Sequence, residues 1–167
     1  MFSIRYKNIK KREIFIKKMC AYNKYRLPIS KELLQKIDRT SSPAHIGKLR
    51  NAVDFIAPQG TPVLAAADGI VTIVKDDSNT GGPDPSYWNY TNFISILHPH
   101  GEFSRYDHLK YHSAKVKVGQ HVRAGQEIAK VGMTGYTYIP HLHFQVFVIT
   151  GYDIWNDFDT IDIKEFI

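Results

Sequence analysis

The sequence predicts an all-β fold, an antiparallel β-sandwich with a barrel-like hybrid core, preceded by a short, mostly helical basic N-terminal extension. Three observations point there. Short apolar runs with alternating polarity recur from Asn51 onward, Gly, Pro, Asn and Asp separate them, and the first fifty residues differ in character, mixing Lys and Arg with apolar residues at helical spacing. The chain of 167 residues suits one compact domain with short extensions. It divides into a basic, partly helical extension (1–42), a core domain (43–150) and an acidic-aromatic tail (151–167) that packs on the core.

The elements follow in order. Residues 6–24 predict one or two short helices, and Ser30, with Glu32 in the next turn, reads as an N-cap starting a helix through about Ile37. Residues 40–43, Thr-Ser-Ser-Pro, are a break. Residues 52–56 form a strand ending at the Pro58-Gln59-Gly60 turn. A second strand at 61–65 returns through an Asp68-Gly69 hairpin into 70–74, with Gly69 supplying a positive φ. Residues 76–91 are a Gly/Pro/Asp/Asn-rich loop. Further strands are expected at 92–97 and 102–108, short strand-and-turn units at 116–120 and 122–126, and a last pair at 127–131 and 141–149.

Charge is unevenly placed. Residues 1–50 carry 14 Lys and Arg against Glu13, Glu32 and Asp38, while the remaining chain holds 8 basic against 13 acidic residues. Such a basic arm suits an anionic polymer or surface, or simply a solvated helix face. No recognition module accompanies it, so nucleic acid is not the expected partner. The single cysteine, Cys20, excludes an internal disulfide framework. No apolar run approaches the ~20 residues of a membrane span. The longest near the start, Ile14-Phe15-Ile16, is too short for a signal core, so the expectation is a cytoplasmic location or export by another route.

The strongest chemical signal is His141-Leu142-His143-Phe144-Gln145-Val146. On a strand, His141, His143 and Gln145 share one face and Leu142, Phe144 and Val146 the other. Two imidazoles over an apolar anchor can serve as zinc ligand and base, or stand as surface histidines on an edge strand. Asp54 sits among Val53, Phe55 and Ile56, where a buried carboxylate needs a partner: a metal, a backbone group or Arg50. Alternation puts His108 on the face of Tyr106. His98, His100, His112 and His121 read as surface residues. Tyr87, Trp88 and Tyr90 either wall a groove or cover the sandwich edge.

Together these pieces resemble the lysostaphin/LytM-type zinc metallopeptidases, peptidase family M23. The resemblance rests on the run from Asp54 to Val63, on Ala65-Ala66-Ala67-Asp68-Gly69, and on Tyr106-Asp107-His108-Leu109. Val118-Gly119-Gln120, Gly125-Gln126-Glu127-Ile128, and Gly132-Met133-Thr134-Gly135 followed by Pro140-His141-Leu142-His143-Phe144 complete it. It spans about residues 45–148. The resemblance implies one Zn2+ per chain held by Asp54, His143 and an upstream histidine, with His108 and His141 polarising water and stabilising the tetrahedral intermediate. It further implies hydrolysis of peptide bonds in peptidoglycan cross-bridges or stem peptides, with Tyr87, Trp88, Tyr90, Tyr106 and Tyr138 as candidates for the substrate groove. Two departures stand out. The usual first ligand lies four residues before the aspartate, where this chain has Arg50; the nearest upstream histidine is His45, nine residues before Asp54. A glycine that often precedes Pro-His-Leu-His is Ile139 here, beside the bulky Tyr138. The first departure motivates an alternative, a catalytically degenerate LytM-like binding or activator domain. A lipoyl-type carrier shares the Val-x-x-Gly-Gln turns but needs a displayed lysine between small or Met neighbours, which is missing here.

Overall fold

The computed structural model describes residues 21–40, 42, 44–153 and 156–167. Among these described residues twelve strands follow in chain order: β1 (Lys36–Asp38), β2 (Val53–Ile56), β3 (Pro62–Leu64), β4 (Gly69–Lys75), β5 (Gly81–Gly82), β6 (Phe93–Leu97), β7 (Glu102–Asp107), β8 (His121–Val122), β9 (Glu127–Lys130), β10 (Gly135–Tyr136), β11 (His141–Ile149) and β12 (Phe158–Thr160). The principal sheet runs β1-β2-β11-β7-β6-β4-β8, and β12 pairs with the second half of β11. Every pairing in it is antiparallel. A smaller sheet, β3 with β9, faces it, and the core lies between.

The core follows from the alternation. Phe55, Ile94, Ile96, Tyr106, Leu142, Phe144 and Val146 point inward from the large sheet and meet Val63, Ile128 and Ala129 of the small one, all fully or nearly fully buried. The segment 22–29 closes one side. Tyr25 and Ile29 are buried, and the buried Glu102 carboxylate accepts hydrogen bonds from the Tyr22 and Asn23 backbone, from Asn23 Nδ2 and from Tyr25 Oη at 2.8 Å. Burial and the Glu102 partner push the Tyr25 hydroxyl well above the ordinary tyrosine range. Among the described residues no helix is long and apolar enough to cross a membrane.

Three expectations change, and a fourth lies mostly outside the described residues. The helix from Ser30 to Ile37 is a single turn followed by β1. Gln35 N–H donates to the Ile56 carbonyl (2.9 Å), and 36–38 pair with β2; an open sheet edge with unsatisfied backbone groups outcompetes a local helix signal. The helices expected over 6–24 fall mostly outside the described residues, and 21–24 are not helical. Residues 116–120 form no strand. They end in a turn at Gly119 (φ 84°). Last, β3 and β4 do not form a hairpin: β3 pairs with β9, β4 with β6 and β8.

Gly69 therefore has another role. It does not take a positive φ; a Cβ there would run into the Leu97 carbonyl oxygen and the Ile96 side chain. Gly69→Ala is expected to destabilise the fold by about 1–3 kcal/mol through overpacking. A denaturant titration checks this, and an unshifted midpoint would refute the close-approach reading.

Candidate active-site groove

Register brings the polar residues together. His143 lies directly opposite Asp54 on one side and Asp107 on the other. All three point to the outer face of the sheet, because their neighbours Phe55, Tyr106 and Phe144 point inward. His45 arrives from the loop after β1. Its Nδ1 is 3.3 Å from the Arg39 carbonyl, to which it donates. That leaves Nε2 facing Asp54 Oδ1 at 3.1 Å and His143 Nδ1 at 3.4 Å. His143 Nδ1 in turn is 2.9 Å from Asp54 Oδ1. Ligand atoms of His45, Asp54 and His143 all lie within 4.8 Å of one another, so the three can hold one metal ion. An Nδ1–H fixed on a backbone carbonyl is the outer contact that orients a ligating imidazole.

The loop carrying His45 is fastened from behind. Thr160 Oγ1 donates to the Lys48 carbonyl and Asn51 Nδ2 to the Thr160 carbonyl, both at 2.7 Å. Arg50, the residue at the usual ligand position, turns away to pair with Asp159 at 2.7 Å.

Two more histidines complete the cluster. His141 Nδ1 is 2.9 Å from the Ile139 carbonyl, and its Nε2 is 3.8 Å from Asp54 Oδ1. His108 Nδ1 donates to the Thr134 carbonyl at 2.8 Å, and its ring centroid is 4.6 Å from that of His141. Each Nδ1–H is thereby engaged and each Nε2 keeps its lone pair. His108 is not on the strand, as alternation had implied. β7 ends at Asp107, and His108 takes a left-handed φ of 62°. This conformation is uncommon for a non-glycine residue and frequent at functional sites. It swings the imidazole to the groove face while Tyr106 stays inside.

Burial is the largest influence on Asp54, His143, His141 and His108, and at Asp54 and His143 their partners overcome it. It would raise the Asp54 carboxyl, yet hydrogen bonds with His143 and His45 hold it far below the carboxylate range. It disfavours charge on His143, but the bond to Asp54 prevails and raises that pKa. His141 is lowered by burial, and His108 is pushed down to about 4 by burial and then by His141. A carboxylate held ionised beside two neutral imidazoles suits cation binding with adjacent proton acceptors.

The cluster lies in a groove of about 510 Å³. Trp88 and Tyr138, more than half exposed, line it, as do Tyr136 and Ile139. Tyr87 and Tyr90 do not. Tyr87 lies over Gly82 and meets the Tyr90 ring edge-on. Tyr106 is a correction, because it is fully buried and its hydroxyl accepts from Ala66 N–H at 2.8 Å. His98 is another, buried at 3% exposure between the Asp68 carbonyl and Ser104 Oγ. Its loop-like neighbours hid this. The sequence reading also missed Asp107 and Arg105 on the groove wall; a carboxylate two residues from an arginine on one strand face was the available signal.

Residues 48–154 match peptidase family M23. The chain belongs to that family. His45 lies just before the matched span, and the folded loop brings it to Asp54 and His143. This M23 chain is 39% identical over 101 residues to the DD-carboxypeptidase/endopeptidase Mpg of Neisseria meningitidis, covering 60% of this chain and 20% of that protein. It is 34% identical over 104 residues to the peptidoglycan DD-endopeptidase ShyC of Vibrio cholerae, covering 62% and 21%. The chain thus spans about a fifth of the length of these curated relatives. Among solved structures, a zinc-containing peptidase from Vibrio cholerae superposes with a TM-score of 0.53 at 32% identity, covering 74% of this chain and 36% of that one.

Proposed function

We propose that this M23 domain is a zinc-dependent metalloendopeptidase that hydrolyses peptide bonds of peptidoglycan, in cross-bridges or stem peptides. The observation that carries the reading is the return of His45 to Asp54 and His143, which supplies a third donor despite the arginine at position 50. Two imidazoles and one carboxylate are the donor set of a catalytic zinc site that keeps a position open.

In this reading His45 Nε2, Asp54 Oδ1 and His143 Nδ1 hold the metal, which when bound supplies a Lewis acid and a water acidified toward neutral pH. His141 and His108 do the proton work. Both are neutral near pH 7 and present Nε2 to the groove, so the pair takes up a proton as water attacks and returns it to the departing amine. The Ile139 and Thr134 carbonyls fix both rings in the tautomer this requires. Trp88 and Tyr138 offer flat faces on which a peptide or sugar can lie. The peptidoglycan assignment follows the names of the relatives Mpg and ShyC.

Purified peptidoglycan is the test substrate. Incubation with the zinc-loaded protein is expected to release fragments with new amino and carboxyl termini, detected by mass spectrometry. A chelator should abolish the release and added zinc restore it. Intact peptidoglycan after treatment with fully zinc-loaded protein would refute the reading.

A further inference from the structure

His108 and His141 are both held from one short strand. β10 (Gly135–Tyr136) pairs in parallel with β5 (Gly81–Gly82), and Thr134 and Thr137 flank it. On one side the Thr134 carbonyl accepts from His108 Nδ1 at 2.8 Å. The Thr134 hydroxyl is itself tied down, donating to the Leu109 carbonyl at 2.8 Å and accepting from Asn92 N–H at 3.0 Å. On the other side Thr137 N–H donates to the Gly82 carbonyl at 3.0 Å, which extends the contact with β5 by one residue. The two strands approach closely because Gly81 has no side chain; a Cβ there would run into the Met133 carbonyl oxygen.

Thr137 contributes its side chain as well as its backbone. The residue is buried at 2% exposure on the groove wall beside His141. Its hydroxyl donates to the Ile139 carbonyl at 2.9 Å, and the same oxygen lies 3.2 Å from His141 Nδ1. His141 Nδ1 is 2.9 Å from that carbonyl. Three atoms thus lie within hydrogen-bonding distance of one another. The carbonyl can only accept, the hydroxyl proton goes to it, and a hydroxyl lone pair is left facing the imidazole. Nδ1 then meets two acceptors and carries the proton, while Nε2 keeps its lone pair. The opposite tautomer would set the Nδ1 lone pair against the carbonyl oxygen with no proton between them. The carbonyl needs this support. Ile139 is half exposed in the bend 138–140, outside any strand, and the Thr137 hydroxyl fixes where its oxygen points.

We propose that Thr137 is a positioning residue for His141. Its hydroxyl locks the ring as the Nδ1–H tautomer and holds the loop carbonyl that shares the proton, so that Nε2 is ready on the groove side. The effect on turnover rests on the hydrolase reading of the groove; the effect on the ring does not. The proposal accounts for a buried hydroxyl at a place where valine would fill the same space. It also gives the segment 76–91 a second role. Through β5 and the bond to Thr137 N–H, the loop that carries Trp88 braces His141 besides walling the groove.

Thr137→Val keeps the shape and removes the hydroxyl, whereas Thr137→Ser keeps the hydroxyl. The first readout is independent of turnover: proton–nitrogen correlation spectra of the histidine rings in the full-length, zinc-loaded protein at neutral pH. His141 is assigned by its absence from the spectrum of His141→Ala. In the wild type it is expected as the Nδ1–H tautomer, and an Nε2–H ring there overturns the proposal whatever the variants do. In Thr137→Val the Nδ1–H signal is expected to broaden through exchange with water and the ring to populate both tautomers; Thr137→Ser should return the wild-type pattern. The second readout is kinetic, with soluble peptidoglycan fragments as substrate. Thr137→Val should lower kcat by roughly 10–100-fold, the scale of misplacing a catalytic group, with KM and zinc content nearly unchanged. Thr137→Ser should recover most of the loss. A His141 ring and a kcat both indifferent to Thr137→Val overturn the assignment, as does a loss of kcat that Thr137→Ser fails to repair. A wild-type protein that cleaves no peptidoglycan sinks the hydrolase reading, and a ring that still responds to Thr137→Val leaves the positioning role standing; cleavage with an unresponsive ring does the reverse.

Discussion

Replacing His45 with alanine is expected to lower the zinc content of the purified protein from about one ion per chain to a small fraction of that. With three protein ligands at a catalytic zinc, losing one leaves two donors and water. Loss of an outer-shell partner alone weakens metal binding by roughly 10–100-fold, so loss of a ligand should exceed about 100-fold. Elemental analysis of wild type and variant, purified side by side and followed by competition with a chelator, measures this. Hydrolysis should fall with the metal. Full zinc occupancy in His45→Ala would remove His45 from the ligand set.

His141→Ala and His108→Ala should separate binding from chemistry. Both are expected to keep zinc, because neither is among the three converging donors. Each should lower kcat/KM by about 10²–10⁴-fold, the range for a positioned proton-transfer group. Turnover and zinc per chain are measured on the same preparations. Unchanged turnover in both variants would exclude the proposed proton roles, and lost zinc in either would enlarge the ligand set.

Much of the sheet was legible because period-two alternation is a strictly local property. Val53-Asp54-Phe55 and Leu142-His143-Phe144 state which side chains enter the core, and the polar partners then follow from register. What escaped depended on distant contacts or on a single dihedral. The turn at Ser30 carries good helix chemistry, yet the open edge of β2 takes the next residues into the sheet. Asp68-Gly69 has the composition of a hairpin, but the need for glycine comes from Leu97 and Ile96, nearly thirty residues away. At His108 one left-handed residue reverses the face that alternation assigns, moving the imidazole into the groove and leaving Tyr106 in the core. His45 was identifiable as the nearest histidine upstream, but only the folded loop shows that nine residues of separation reach Asp54.

The fastening of that loop to β12 has a thermodynamic consequence. Asp159 and Thr160 reach Lys48, Arg50 and Asn51, so the strand stands behind the loop while, on the proposed ligand set, a bound ion would pull on it from the front. Two clamps on one segment are linked reciprocally. Whatever free energy the docked strand lends to metal affinity, the metal returns to strand docking. A substitution at Thr160 would then be felt as weaker zinc affinity, through a residue that never meets the ion, and by the same cycle the zinc-loaded protein would lose more stability to that substitution than the metal-free one.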